Sequence, residues 1–86
     1  MPEICRFFGI SIRMYYNDHA PPHFHVVYGE QKAIVDIRTL MVIEGHLSPR
    51  VLGMVIEWAS QHQEALMDLW KRASNYQPLY KLPPLD

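Results

Sequence analysis

Three of the chain's five histidines, His19, His23 and His25, fall within seven residues, in the segment Asp18-His19-Ala20-Pro21-Pro22-His23-Phe24-His25. Histidine is the side chain that most readily gives and takes a proton near neutral pH, and its ring nitrogens are common metal ligands. Two prolines immediately before His23 make the preceding residues a loop, because neither can donate to a sheet ladder. From Phe24 the pattern becomes that of a strand. If Phe24, Val26 and Tyr28 face a core, His23 and His25 face the other way.

The partner strand constrains the histidines further. A turn centred on Glu30 and Gln31 sets Phe24 opposite Ile37, Val26 opposite Val35 and Tyr28 opposite Ala33. An odd turn would set Phe24 against Asp36 and mix the two faces. The even register places His25 opposite Asp36 and His23 opposite Arg38, with Arg13 near on the preceding strand. Three readings of this surface stay open. The histidines and prolines form a rigid, locally hydrogen-bonded loop; or His23, His25, Asp36 and Arg13 make a binding or acid–base surface; or His19, His23 and His25 hold a metal. The spacing matches no familiar zinc motif, so no bound metal or other cofactor is expected. A wider binding surface would comprise Tyr16, Asp18, His19, His23, His25 and Arg38. His46 and His62 are isolated and read as structural.

Other chemistry is sparse. No glycine-rich phosphate loop or nucleophile signature is present. Tyr15, Tyr16 and Tyr28 have faces on which bases could stack, but tyrosines are ordinary in strands. Trp58 and Trp70 read first as core packing and second as anchors for a partner.

These residues must be carried by a small α+β unit. Ile4 to Phe8 is apolar, Ile10 to Tyr16 alternates, and Phe24 to Tyr28, Ala33 to Ile37 and Leu40 to Ile43 read as further strands between Gly- and Pro-containing breaks. At Ser48-Pro49 the period changes: serine suits a helix cap and proline the first helical position. Val51, Val55, Trp58, His62, Leu66, Leu69 and Ala73 then share one face. The expected architecture is a single domain over residues 1–86: an antiparallel sheet of four or five strands (about 3–45) packed against one long helix (about 49–74), then an extended Pro-containing tail (75–86).

Composition bounds the function classes. With 86 residues, 49% of them hydrophobic, one small core is expected, and association with a partner or a second copy would add burial. The formal net charge of -1 argues against a one-sided basic nucleic-acid binder without excluding a local basic patch. Cys5 is the only cysteine, so no internal disulfide can form. Neither a signal peptide nor an apolar run of membrane-spanning length is visible, and the cytosol is the expected location.

Phe8-Gly9-Ile10, Met14-Tyr15, Asp18-His19 through Pro21-Pro22-His23-Phe24-His25-Val26, and Glu57-Trp58-Ala59, together with Met1-Pro2, resemble a bacterial family known only as domain of unknown function 4160. The resemblance covers nearly the whole chain, and the Asp-His-x-Pro-Pro-His-Phe-His string is its most specific part. Where family members often have Asn before a tryptophan near the helix end, this chain has Leu69 before Trp70. The resemblance implies a small bacterial protein, often encoded beside another small protein, and so a toxin–antitoxin-like pair; it supplies no catalytic residues. The leading expectation is therefore a protein-interaction component of a two-gene module. The alternatives are a metal-independent ribonuclease, with His23 or His25 as acid or base and Arg13 stabilising phosphate charge, and a histidine metal-binding protein.

Overall fold

The structure, a computed structural model, describes residues 3–86; Met1 and Pro2, part of the resemblance above, lie outside the described residues. Five strands form one antiparallel sheet in chain order: β1 (Glu3–Phe7), β2 (Ile10–Arg13), β3 (His23–Tyr28), β4 (Gln31–Asp36) and β5 (Val42–His46). Two helices follow, α1 (Pro49–Ser60) and α2 (Gln63–Ser74). The fold is α+β. Among the described residues no helix is long and apolar enough to cross a membrane.

Local chemistry explains the meander. Phe8 and Gly9, both at positive φ, close a two-residue hairpin between the paired ends Phe7 and Ile10. Gly29 at φ +57° begins the next one, which pairs Tyr28 with Gln31. In β1 the register slips between Glu3 and Cys5, so Ile4 is an extra residue and both Ile4 and Cys5 turn inward. The inner face is apolar: Ile10, Ile12, Phe24, Val26, Val35 and Ile37 are fully buried beneath Val55, Trp58, Leu66 and Leu69 of the helices. Trp58 lies at its centre, 5.6 Å from the ring of Phe7 and 6.1 Å from that of Phe24.

The expected single helix is two. Gln61 and His62 lie between them, and His62, at φ -131°, leaves the helical region. A straight helix over residues 49–74 would be about 39 Å long, whereas the longest extent of the whole molecule is 33 Å. The break lets both halves lie over a small sheet. His62 rests on Trp58, and the Gln63 side-chain amide donates to the Ile37 carbonyl at 2.8 Å. Because so little chain intervenes, the apolar stripe from Val51 to Ala73 continues across the break, with His62 its one half-buried member. Ser48 precedes α1 without capping it through its side chain; its backbone N–H donates to Gln31 Oε1 at 2.7 Å, and Pro49 takes the first turn.

The tail closes one side of the sheet. Leu82 N–H donates to the Ile4 carbonyl and Trp58 Nε1–H to the Pro83 carbonyl, each at 2.8 Å, so the edge of β1 is partly covered.

Candidate metal centre

The loop between β2 and β3 is tied to α2 by the Asn17 N–H, which donates to the Ala73 carbonyl at 3.2 Å. Asn17 sits at φ +55°, a conformation that asparagine tolerates better than most residues. This places Asp18 over the start of β3. Its Oδ1 accepts the His19 N–H at 2.9 Å, while its Oδ2 accepts from two rings, His23 Nε2 at 2.9 Å and His25 Nε2 at 3.0 Å. His23 and His25 share a strand face by the two-residue period, so both can reach the same oxygen.

The two imidazoles are held differently. His23 is 6% exposed, with its ring 5.0 Å from that of Trp70 on α2. Its Nδ1 lies 2.7 Å from the Pro21 carbonyl, which can only accept, so Nδ1 carries a proton. His25 is half-buried; the Tyr15 ring stands edge-on to it at 4.5 Å, and Arg13 is its cross-strand partner. Burial pushes the Asp18 carboxyl upward in pKa, but hydrogen bonds from His25, the His19 backbone and His23 outweigh it and hold the value at about 2.

This geometry has a consequence for protons. With Nδ1 of His23 already a donor, a hydrogen bond from its Nε2 to Asp18 requires a proton on both ring nitrogens. Remove that proton and the one on His25 Nε2, and two lone pairs face one carboxylate oxygen. The three potential ligand atoms lie within 4.8 Å of one another. Nitrogen and oxygen ligands on a tetrahedral zinc, at about 2.0–2.2 Å from the ion, lie about 3.3 Å apart. The two imidazole–carboxylate separations, 2.9 and 3.0 Å, are already near that value, and the separation between the two imidazole nitrogens would have to close by about 1.5 Å at most. The Pro21 carbonyl is already placed as the outer partner that a ligating histidine needs on its other nitrogen.

A family model described as "Domain of unknown function (DUF4160)" matches residues 9–71. The chain belongs to that family. The match takes in the whole histidine segment, β2 to β5, α1 and most of α2. No curated protein and no solved structure matches the chain. Membership in DUF4160 leaves the activity to be read from the site itself.

Several expected site residues stand elsewhere. The β3–β4 register is offset by two from the expected one: Phe24 pairs with Val35, Val26 with Ala33, and His25 faces Ile34. The hairpin loop is Gly29-Glu30 and not the wider turn centred on Glu30 and Gln31, and an offset of two keeps every side chain on its expected face. Asp36 pairs along the backbone with His23, and its carboxylate is used instead in the β4–β5 turn, where Oδ1 accepts the Arg38 and Thr39 N–H groups at 2.7 and 3.0 Å. Nor does the odd face of β3 lie wholly away from the helices, since His23 touches Trp70. The trio His19, His23, His25 does not assemble: the His19 side chain is exposed and Asp18 stands in the third position. Tyr16 stacks in parallel with Tyr76, and Arg38 lies in the β4–β5 turn beside a groove along α2. The pairing of Asp18 with its downstream histidines is the feature that residue spacing did not disclose; separations of five and seven residues through a proline loop follow no regular period.

Proposed function

We propose that the chain is a metal-binding protein whose centre is Asp18, His23 and His25, binding a zinc-type divalent ion in an open, three-ligand site. The observation that supports this most is the convergence of two imidazole Nε2 atoms on one carboxylate oxygen, with the other nitrogen of His23 held by a backbone carbonyl. Three protein ligands leave a coordination position for water or a ligand oxygen, the arrangement of catalytic rather than structural zinc sites. Exposure of about a quarter of the Asp18 and His25 side chains leaves that position accessible. The same convergence weighs against a metal-independent ribonuclease, since an acid and a base that both point at Asp18 do not point at a phosphodiester.

Titration calorimetry of the untagged protein with zinc tests the reading. One ion per chain is expected, with proton release seen as a dependence of the heat on the buffer, because ligation displaces Nε2 protons. His25→Ala should lose the binding. No stoichiometric binding at micromolar zinc, or binding that survives both His23→Ala and His25→Ala, overturns it. In that case Asp18 is a latch that fastens the loop to β3.

A second reading, a protein-interaction component of a bacterial, cytoplasmic, toxin–antitoxin-like gene pair, is favoured by β5. It ends the sheet opposite the tail-covered edge; Ile43 on it is 48% exposed, and Met41 in the preceding turn 66%. Ile43 is the extra residue of a register slip between the Val35–Val42 and Ile34–Glu44 pairs. Exposed edges are where strands of other chains add. Co-purification with the product of the neighbouring gene, abolished by Ile43→Lys, tests it; recovery of the chain alone under the same conditions counts against it.

A further inference from the structure

The outer face of the sheet, away from Trp58 and the core, carries a hollow of about 270 Å³ that begins at His25. Arg13, Tyr15, Lys32, Ile34 and Glu44 complete its working surface. Register explains the grouping. Arg13 faces His25 across β2 and β3, His25 faces Ile34 across β3 and β4, and Ile34 faces Glu44 across β4 and β5. Lys32 stands one same-face position along from Ile34. The hollow thus runs across four strands with a cation from β2 and another from β4.

Arg13 is oriented without being neutralised. Its Nε–H donates to Ser11 Oγ at 3.0 Å, and Ser11 in turn donates its hydroxyl to Glu3 Oε2 at 2.5 Å. Glu3 is itself in an ion pair with Arg6. Among the described residues neither Arg13 nor Lys32 has a carboxylate within ion-pair distance. An arginine fixed through Nε keeps its two terminal amino groups for a planar or tetrahedral oxyanion, the ligand class that guanidinium binds best.

We propose that this hollow binds the phosphate group of a phosphorylated ligand, with Arg13 and Lys32 as its counter-charges, beside the Asp18–His23–His25 centre. This deepens the metal-centre reading and rests on it for the role of the bound group, since His25 both lines the hollow and is one of the three residues that would hold the ion. Arg13 is the principal binding residue and Lys32 the second. Glu44 is the one carboxylate in the hollow and opposes the anion, which favours singly over doubly charged phosphate groups.

The test is a titration of isotopically labelled protein with inorganic phosphate, with and without one equivalent of zinc, following the Arg13 Nε–H and the backbone amides of β2 to β4 by NMR. Saturable shifts at Arg13, His25 and Lys32 are expected. Arg13→Gln should weaken binding by about tenfold or more, the scale of a charge-assisted hydrogen-bonded pair. Glu44→Gln should tighten it, and Lys81→Gln, on the tail, should leave it unchanged. If zinc binds but phosphate shifts nothing at Arg13, or Arg13→Gln binds as the parent does, the phosphate site falls while the metal centre stands. If phosphate binds through Arg13 in a chain that takes no zinc, the phosphate site stands and the metal centre falls.

Discussion

The two faces of the sheet are built from alternate residues of the same strands and are opposite in kind. Inward-facing Ile12, Phe24, Val26 and Val35 are fully buried in the apolar core with Val55, Trp58, Leu66 and Leu69 of the helices. Outward-facing Arg13, His25 and Lys32 line an open hollow or lean on a loop aspartate. Such a division lets a small domain keep its stability and its chemistry on separate atoms, because removing an inward side chain leaves a void whereas removing an outward one leaves water. Two outer-face residues are nevertheless buried, Ser11 beside Glu3 and Arg13, and His23. His23 is the one that reaches the helices. It belongs to the outer set by parity but is buried against Trp70, so it connects the reactive cluster to the helical layer.

The sharpest way to break this contrast is to empty the inner face. Leu66→Ala removes a fully buried side chain and should lower stability by about 2–5 kcal/mol. Chemical denaturation would show the midpoint move with an unchanged slope, and the folded fraction should still bind zinc. An unmoved midpoint would mean that α2 does not depend on the sheet.

The outer face should behave in the reverse way. Zinc at a hundred times its dissociation constant should stabilise the parent by about 2.7 kcal/mol, and His25→Ala should lose that increment. Without zinc, His25→Ala should melt within a few degrees of the parent, since the ring is half-buried and leaves no sealed cavity. A collapse of the metal-free variant would make His25 a structural residue.

Gly45 tests where the two faces meet at the β5 edge. It holds φ +85°, and a Cβ there would lie 2.2 Å from the Lys32 carbonyl oxygen and 2.8 Å from the Ala33 Cα. Gly45→Ala should destabilise by about 1–3 kcal/mol, read from thermal melting, by pushing β5 away from β4. A neutral result would show that this edge already moves freely.

Acid should give the most specific effect. The Asp18 carboxyl is held at about 2 in the folded chain against a reference value of 3.8. A depressed carboxylate stabilises above its unfolded pKa, and the contribution disappears as pH falls through the folded value. Metal-free protein should therefore lose stability between about pH 4 and pH 2. Asp18→Asn should show a shallower decline over that window, starting from lower stability at pH 7. Identical profiles would mean that the two histidines do not hold the carboxylate in solution.

Much of this contrast was legible in the residues. Alternation in Ile10–Arg13 and His23–Tyr28, the glycines between strands, and the three-and-four spacing from Val51 to Ala73 specify strands, turns and helical face through local geometry alone. The parity that separates Phe24 from His25 is of the same kind, because side chains alternate along a strand whatever it pairs with. Three features needed the folded chain. Registers that differ by two present the same faces, so periodicity cannot choose between Asp36 and Ile34 as the partner of His25; the two-residue Gly29-Glu30 loop decides it. The helix breaks at Gln61 and His62, where His62 leaves the helical region, and both halves then cover the sheet. Asp18 meets His23 and His25 because α2 holds the loop through Asn17 and Ala73, a contact between residues 56 apart in sequence. Alternation and helical period are properties of neighbouring residues and can be read from order alone. Register, helix length and the meeting of a loop with a strand depend on what the rest of the chain leaves room for, and only the tertiary structure decides them.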